Sequence, residues 1–327
     1  MKNKQSGFFV ISLDFELIWG VFDVLDLESH LEYFQNTRNT IPEILSSFNE
    51  KDIHATWATV GMLFNDGWKE WEENISISKP TYRNTQLSSY DFGLSTRDKV
   101  PEKIFFAPEL IREIAKTPGQ ELGTHTYSHY YCQEEGQTVE QFREDLEVAI
   151  KLAEKQNIKL SSLVFPRNQL QEEYLKVCFC LGINTVRSNP EDWYWKNPNS
   201  EAFLTKLFRT GDAYNLIGDR KSYPIEKLEQ KQGFPLSQMA SRFLRPVENN
   251  ALLRKLKMKR IKKEMTAAAR HGEVYHLWWH PHNFGHHPKE SLQDLEEIIS
   301  HFKELQKKYN FQSRNMKELR DIVIKKT

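Results

Sequence analysis

Apolar positions along the chain switch repeatedly between a period of two and a period near 3.6. Residues 8–13 form a short apolar run rich in strand-forming types and predict a buried strand. The run ends in Asp14-Phe15-Glu16; because a strand alternates its faces, the two carboxylates point to one side. Ile41, Ile44, Leu45 and Phe48 recur at helical spacing and predict a helix over 38–50, with Pro42 near its first turn. Residues 53–61 read as a second strand, with His54 as a packing residue at its entry. A short helix over 109–116, ended by Pro118-Gly119, leads to Glu121-Leu-Gly-Thr-His125-Thr-Tyr-Ser-His129. Thr138 and Gln141 form a capping box opening a helix with Phe142, Leu146, Ala149, Ile150 and Ala153 on its apolar stripe.

The alternation continues. A strand over 160–165 runs into Pro166-Arg167-Asn168-Gln169, a helix over 172–181 leads to an extended stretch at 184–187, and the turn Asn189-Pro-Glu-Asp192-Trp193 follows. Residues 274–280 predict a late strand ending in Leu277-Trp278-Trp279-His280 and stopped by Pro281, with His276 as a packed residue. Amphipathic helices over 291–309 and 316–324 close the chain. Strands alternating with helices, and polar chemistry just past the strands' C-terminal ends, predict an α/β barrel or open α/β sheet with its site at those ends. Two stretches break the pattern, 65–103 and 196–270, and read as insertions on a single catalytic domain spanning 1–327.

The chemistry concentrates at few positions. His125 and His129, four apart, would share a face of a helical turn and converge on one point, and imidazole is a common metal ligand. Asp14 and Glu16 at a strand end call for a cation or hydrogen bonds to compensate them. No glycine-rich phosphate loop is present, which argues against nucleotide-driven chemistry. Within 242–263, Arg254, Lys255, Lys257, Lys259, Arg260, Lys262 and Lys263 make a basic run on a helix with a partial apolar stripe of Leu252, Leu256, Ile261 and Met265. That run is either a solvated face or a surface for phosphate groups or a membrane.

Composition narrows the classes. Of 327 residues, 39% are hydrophobic and 28% charged, an ordinary globular profile. Lys plus Arg and Asp plus Glu both number 45, so there is no overall field to recruit nucleic acid. No apolar run reaches the roughly 18 residues of a spanning helix, so membrane contact would be peripheral. The apolar start is too short for a signal peptide, and the three cysteines, Cys132, Cys178 and Cys180, have neither metal-knuckle nor redox spacing; both point to a cytoplasmic, reducing setting.

In order along the chain, Ser-Leu-Asp14-Phe-Glu16, the stretch 55–61, His125-Thr-Tyr-Ser-His129, Phe165-Pro166-Arg167 with Asp192-Trp193, and Leu277-Trp-Trp-His280 resemble the motifs of the polysaccharide deacetylase family, the NodB-type domain of carbohydrate esterase family four. The resemblance implies a distorted (β/α) barrel and a hydrolase of non-peptide C–N bonds. The expected reaction removes an acetyl group from an N-acetylated sugar with the help of zinc or another divalent ion. It implies Glu16, His125 and His129 as metal ligands, Asp14 as base, His280 as acid with Asp192 beside it, and Arg167 paired with Asp14. Trp193, Trp278 and Trp279 would either offer aromatic faces to a sugar ring or pack in the core, and Asn168 would face substrate. The usual first motif has two adjacent aspartates, so the spacing here leaves open which of Asp14 and Glu16 is base and which is ligand. Two lidding insertions and the basic run suggest a nucleotide- or lipid-diphosphate-linked sugar of surface-glycan assembly. An allantoinase-like C–N hydrolase on the same scaffold, or a non-catalytic glycan-binding relative, are the alternatives.

Overall fold

The computed structural model describes residues 6–76, 78–192, 211–212, 214 and 221–326. Among these, the strands are β1 Gly7–Phe15, β2 Ala55–Thr59, β3 Gln120–Thr124, β4 Ser162–Leu163, β5 Thr185–Ser188, β6 Tyr223–Pro224, β7 Leu236–Met239, β8 Arg242–Phe243, β9 Glu273–Trp279 and β10 Phe311–Arg314. They form one sheet in the order β6-β9-β1-β2-β3-β4-β5-β7, with β10 also on β1 and β8 also on β9. Pairing is parallel except for β6, which runs antiparallel to β9. The sheet is curled. β7 pairs with β5, and after Ala240 and Ser241 the same stretch of chain becomes β8 and pairs with β9. Ala240 N donates to Ser188 O at 2.9 Å and Ser241 N to His276 O at 2.8 Å, which ties the two sides into the expected distorted barrel.

The alternation in β1 separates outside from inside. Phe9, Ile11, Leu13 and Phe15 face the large core under the helices. Phe8 and Val10 face a second apolar cluster with Leu236, Val274 and Met316, which closes one end of the barrel. Further along the same face stand Ser12 and Asp14, so the interior turns from apolar to polar toward the strands' C-terminal ends. The apolar end is plugged by helix Met316–Lys326. The buried Glu121 carboxylate receives Thr56 Oγ1 at 2.6 Å, Ser162 Oγ at 2.5 Å and, at this helix's N-terminus, Lys317 N at 3.1 Å. Burial still outweighs these contacts and raises the Glu121 pKa above the usual value.

Several elements differ from the sequence expectation. The first long helix is Leu31–Glu50, with Pro42 in its middle; Tyr33, Phe34 and Thr37 bury its early turns although 35–39 is polar and poor in helix formers. Residues 65–76 and 78–103, read as an insertion, are folded onto the core. They contain helices Trp68–Glu73 and Ser89–Thr96, and Trp71 and Tyr90 are buried around Trp19, whose indole N–H donates to Phe105 O at 2.7 Å. The latter part of 196–270 is likewise framework. It supplies β6, β7 and β8, then helix Ala251–His271, which buries Ile261, Met265 and Ala268 and packs on β1, β9 and helix Pro288–Lys308.

Candidate metal and catalytic site

Glu16 follows the last residue of β1 and is almost fully buried. Its Oε2 lies 3.3 Å from His125 Nε2 and 3.2 Å from His129 Nε2. One ligand atom from each of the three residues falls within 4.8 Å of the others, a set able to hold a metal ion. The second nitrogens are engaged. His125 Nδ1 is 2.8 Å from Val164 O and so carries the proton, and His129 Nδ1 is 3.1 Å from the Tyr131 hydroxyl. Both rings therefore turn Nε2 toward the carboxylate, the outer-partner arrangement usual for metal-ligating histidines. Space for that carboxylate depends on Gly20, where a Cβ would sit 1.9 Å from the Glu16 carboxyl carbon. Burial acts to raise the Glu16 pKa; the His280 charge and the contacts to His125 and His129 outweigh it and hold the group well below the usual range.

The two histidines do not share a helical turn. Residues 125–129 form a loop after β3 in which Thr126 and His129 adopt left-handed φ values of 63° and 58°. Such backbone needs outside support. Asp145, on the buried face of helix Val139–Lys155, accepts Tyr127 N at 2.7 Å and Ser128 N at 3.0 Å and also takes the Ser128 hydroxyl. Thr126 Oγ1 accepts Tyr130 N at 2.7 Å, and Ser89 Oγ from the 65–103 segment donates to Ser128 O at 2.9 Å.

Asp14 is held from across the barrel. Arg187, on β5 and 1% exposed, donates Nη1 to Asp14 Oδ1 at 2.6 Å and Nη2 to Asp14 Oδ2 at 2.7 Å. Nη1 also reaches Ser12 Oγ at 3.1 Å and Nη2 reaches Asn168 Oδ1 at 2.9 Å, and the guanidinium lies 4.1 Å from the centroid of the Trp278 ring. Burial acts to raise the Asp14 pKa, but the Arg187 charge and hydrogen bonds prevail and the pKa is lowered. His276 Nε2 stands 2.9 Å from Ser12 Oγ behind this pair, wholly buried as a packing residue. His280 Nε2 lies between the two carboxylates, 3.6 Å from Asp14 Oδ2 and 3.7 Å from Glu16 Oε1.

Comparison with known proteins bears on the family and the fold. The sequence matches the family model for polysaccharide deacetylase over residues 16–186. The chain belongs to the polysaccharide deacetylase family. A Mycobacterium smegmatis structure described as a polysaccharide deacetylase shares the fold at a TM-score of 0.63 and 12% identity, covering 100% of this chain and 93% of that one. A probable polysaccharide deacetylase from Pseudomonas aeruginosa PAO1 gives 0.55 at 10% identity, covering 96% and 89%. PuuE allantoinase gives 0.56 at 12% identity, covering 98% and 91%. A search of curated proteins gives no match.

In this polysaccharide deacetylase family member several side chains sit elsewhere than the motif resemblance implied. Arg167 does not pair with Asp14. It adopts a left-handed φ of 53° in the turn after β4, stands 4.3 Å from the Tyr131 ring centroid and pairs with Asp23, so Arg187 takes the Asp14 contact instead. Asp192 is not beside His280; its carboxylate receives Lys221 Nζ at 2.6 Å, and the carboxylates that His280 meets are Asp14 and Glu16. Trp279 lies on the outer face of β9, fully buried and stacked on Phe284, and cannot touch substrate. Trp278, on the inner face, borders a pocket with Asn168 and Phe243. Trp193 lies outside the described residues.

Two further residues went unread in the sequence. His282, on the 3₁₀ turn Pro281–Phe284, places Nδ1 3.5 Å from Glu16 Oε1 and stacks on His280 at 4.9 Å. Burial pushes its pKa down to about 3, so it stays neutral. Its signal was a second histidine just past a strand-ending His-Pro. Arg187 had a fainter one, a charge alternating with Val186 at a strand's C-terminal end. The basic helix divides into an exposed side, with Lys255, Lys259 and Lys263, and a paired one. Arg254 pairs with Asp294 at 2.7 Å, the buried Lys257 with Glu248 at 3.1 Å and Asp294 at 3.3 Å, and the buried Arg260 with Glu264 at 3.0 Å. No described helix is long and apolar enough to cross a membrane.

Proposed function

We propose that the protein is a metal-dependent hydrolase that removes the acetyl group from an N-acetylated sugar. The observation that carries this reading is the convergence of His280 on both Asp14 and Glu16, with His125 and His129 on the far side of Glu16. Glu16, His125 and His129 would hold the ion. A zinc-type ion supplies Lewis acidity toward an amide carbonyl and brings the pKa of a water to about 7. Asp14, kept ionised by Arg187, accepts the proton of the attacking water as its oxygen bonds to the carbonyl carbon. When the C–N bond breaks, the departing nitrogen needs a proton, and His280 is within reach of the same point. The products are acetate and a free amine. Trp278 and Phe243, with ring centroids 4.5 Å apart, give a sugar ring an aromatic wall next to His280.

The spacing of Asp14 and Glu16 and the fold shared with an allantoinase define the competing reading, a hydrolase of ring amides. The two are separated by incubating the zinc-loaded protein with a panel of N-acetylated mono- and oligosaccharides and with allantoin. The deacetylase reading expects acetate and free amine in equal amounts from at least one sugar and no opening of the allantoin ring. Ring opening without acetate release would replace it.

A further inference from the structure

Beside the metal cluster, the barrel mouth opens into a pocket lined in part by Asn168, Asn189, Ser241, Phe243, Arg245 and Trp278. It adjoins the reacting centre directly, because the His280 ring packs at 5.6 Å on both Phe243 and Trp278. The Asn168 carboxamide oxygen is already taken by Arg187, which leaves its N–H groups as donors. The charges around this pocket are mostly spent on one another. Arg242 gives two bonds to Glu264, at 2.6 and 2.7 Å, and Asp212 is shared between Arg242 at 3.5 Å and Arg260 at 3.4 Å. Glu248, the carboxylate nearest in sequence to Arg245, is taken by Lys257 at 3.1 Å and by the Tyr214 hydroxyl at 2.8 Å. Arg245 makes no ion pair with any described carboxylate. It is half-buried, stands 5.9 Å from the Tyr214 ring centroid and hydrogen-bonds the Tyr214 side chain, which itself donates to Glu248. Asp212 lines the same pocket, but its carboxylate is held by Arg242 and Arg260 and not by Arg245. An arginine so placed is suited to a planar or tetrahedral oxyanion, which its fork of N–H groups can bind bidentately.

We infer that this pocket binds an anionic group, phosphate or carboxylate, carried by the sugar whose acetamide reaches the metal cluster, with Arg245 as its counter-ion and Trp278 and Phe243 against the ring. The inference rests on the deacetylase reading for the identity of the sugar, but its test does not need turnover. Calorimetric titration of the zinc-loaded protein with N-acetylglucosamine, its 1-phosphate and an N-acetylated uronic acid should show one of the charged ligands binding roughly ten-fold or more tightly than the neutral sugar. Which charged ligand gains identifies the group. Arg245→Gln should abolish the gain with metal content unchanged, and Arg245→Lys should keep part of it. Equal affinity for neutral and charged sugars, no binding of either charged ligand, or a gain that survives in Arg245→Gln would overturn the inference. Arg245-dependent binding without acetate release would leave the pocket standing and remove the deacetylase reading. Acetate release indifferent to charge, from a protein that binds all three ligands alike, would do the reverse.

Discussion

Asp14 depends on a single guanidinium. Arg187→Gln would leave a carboxylate that is 2% exposed without its two strongest hydrogen bonds, and breaking a buried pair from one side costs about 3–5 kcal/mol. The expected outcome is a folded but destabilised protein by chemical denaturation, with any deacetylase turnover reduced about 10²–10⁴-fold as the proposed general base loses its charge and aim. Arg167→Gln, which empties a partly exposed contact to Asp23, should shift stability by no more than ~1 kcal/mol and leave Asp14 untouched. The opposite ranking of the two variants would show that the Asp14 partner has been misassigned. At this scale the sequence is legible where chemistry restricts residue type. Glu16, His125 and His129 could be picked out because few other purposes bring those types together at a strand end. Arg187 could not, because a strand arginine looks the same whether it faces water or a carboxylate 173 positions away in the chain. The resemblance placed that role on Arg167, in a turn whose left-handed backbone aims the side chain at Asp23 instead.

Among the elements, the loop 125–129 is held chiefly by helix Val139–Lys155 through Asp145. Burial raises the Asp145 pKa from 3.8 to about 6, against the lowering effect of its hydrogen bonds from Ser128 and Tyr127. The folded protein therefore keeps a proton that the unfolded chain has already lost between about pH 4 and about pH 6, and stability falls as pH rises through that window, by roughly 3 kcal/mol from this group. Asp145→Asn carries no titrating group. Unfolding free energies of the metal-free protein and the variant should thus converge or cross as pH rises from about 4 to about 6, the wild type losing more; parallel pH profiles would contradict the assignment. The alternation of strands and helices was readable because each long helix carries a clear apolar stripe. The short strands β6, β8 and β10 were not, since two to four residues give no periodicity and their pairing is decided by β1 and β9. The basic run was legible only in part. Lys255, Lys259 and Lys263 do form an exposed face, but Arg254, Lys257 and Arg260 are held by Asp294, Glu248 and Glu264, acidic partners that the run itself does not reveal.

For the molecule as a whole, the curl of the sheet brings β1, the loop after β3, β5 and the end of β9 to one mouth, while helix Met316–Lys326 shuts the other. A Glu/His/His cluster able to hold an ion, a charge-held carboxylate and an imidazole then meet within one site although they are spread over residues 14–280. The proposed hydrolase requires that Glu16, His125 and His129 hold an ion, and that can be measured without knowing the substrate. The protein and its His125→Ala/His129→Ala variant would be stripped with a chelator, reloaded with zinc, desalted and analysed for metal per chain. The account predicts about one equivalent in the protein and essentially none in the variant, with both giving the same far-ultraviolet circular dichroism. A reloaded protein without metal, or a variant that retains a full equivalent, would contradict it.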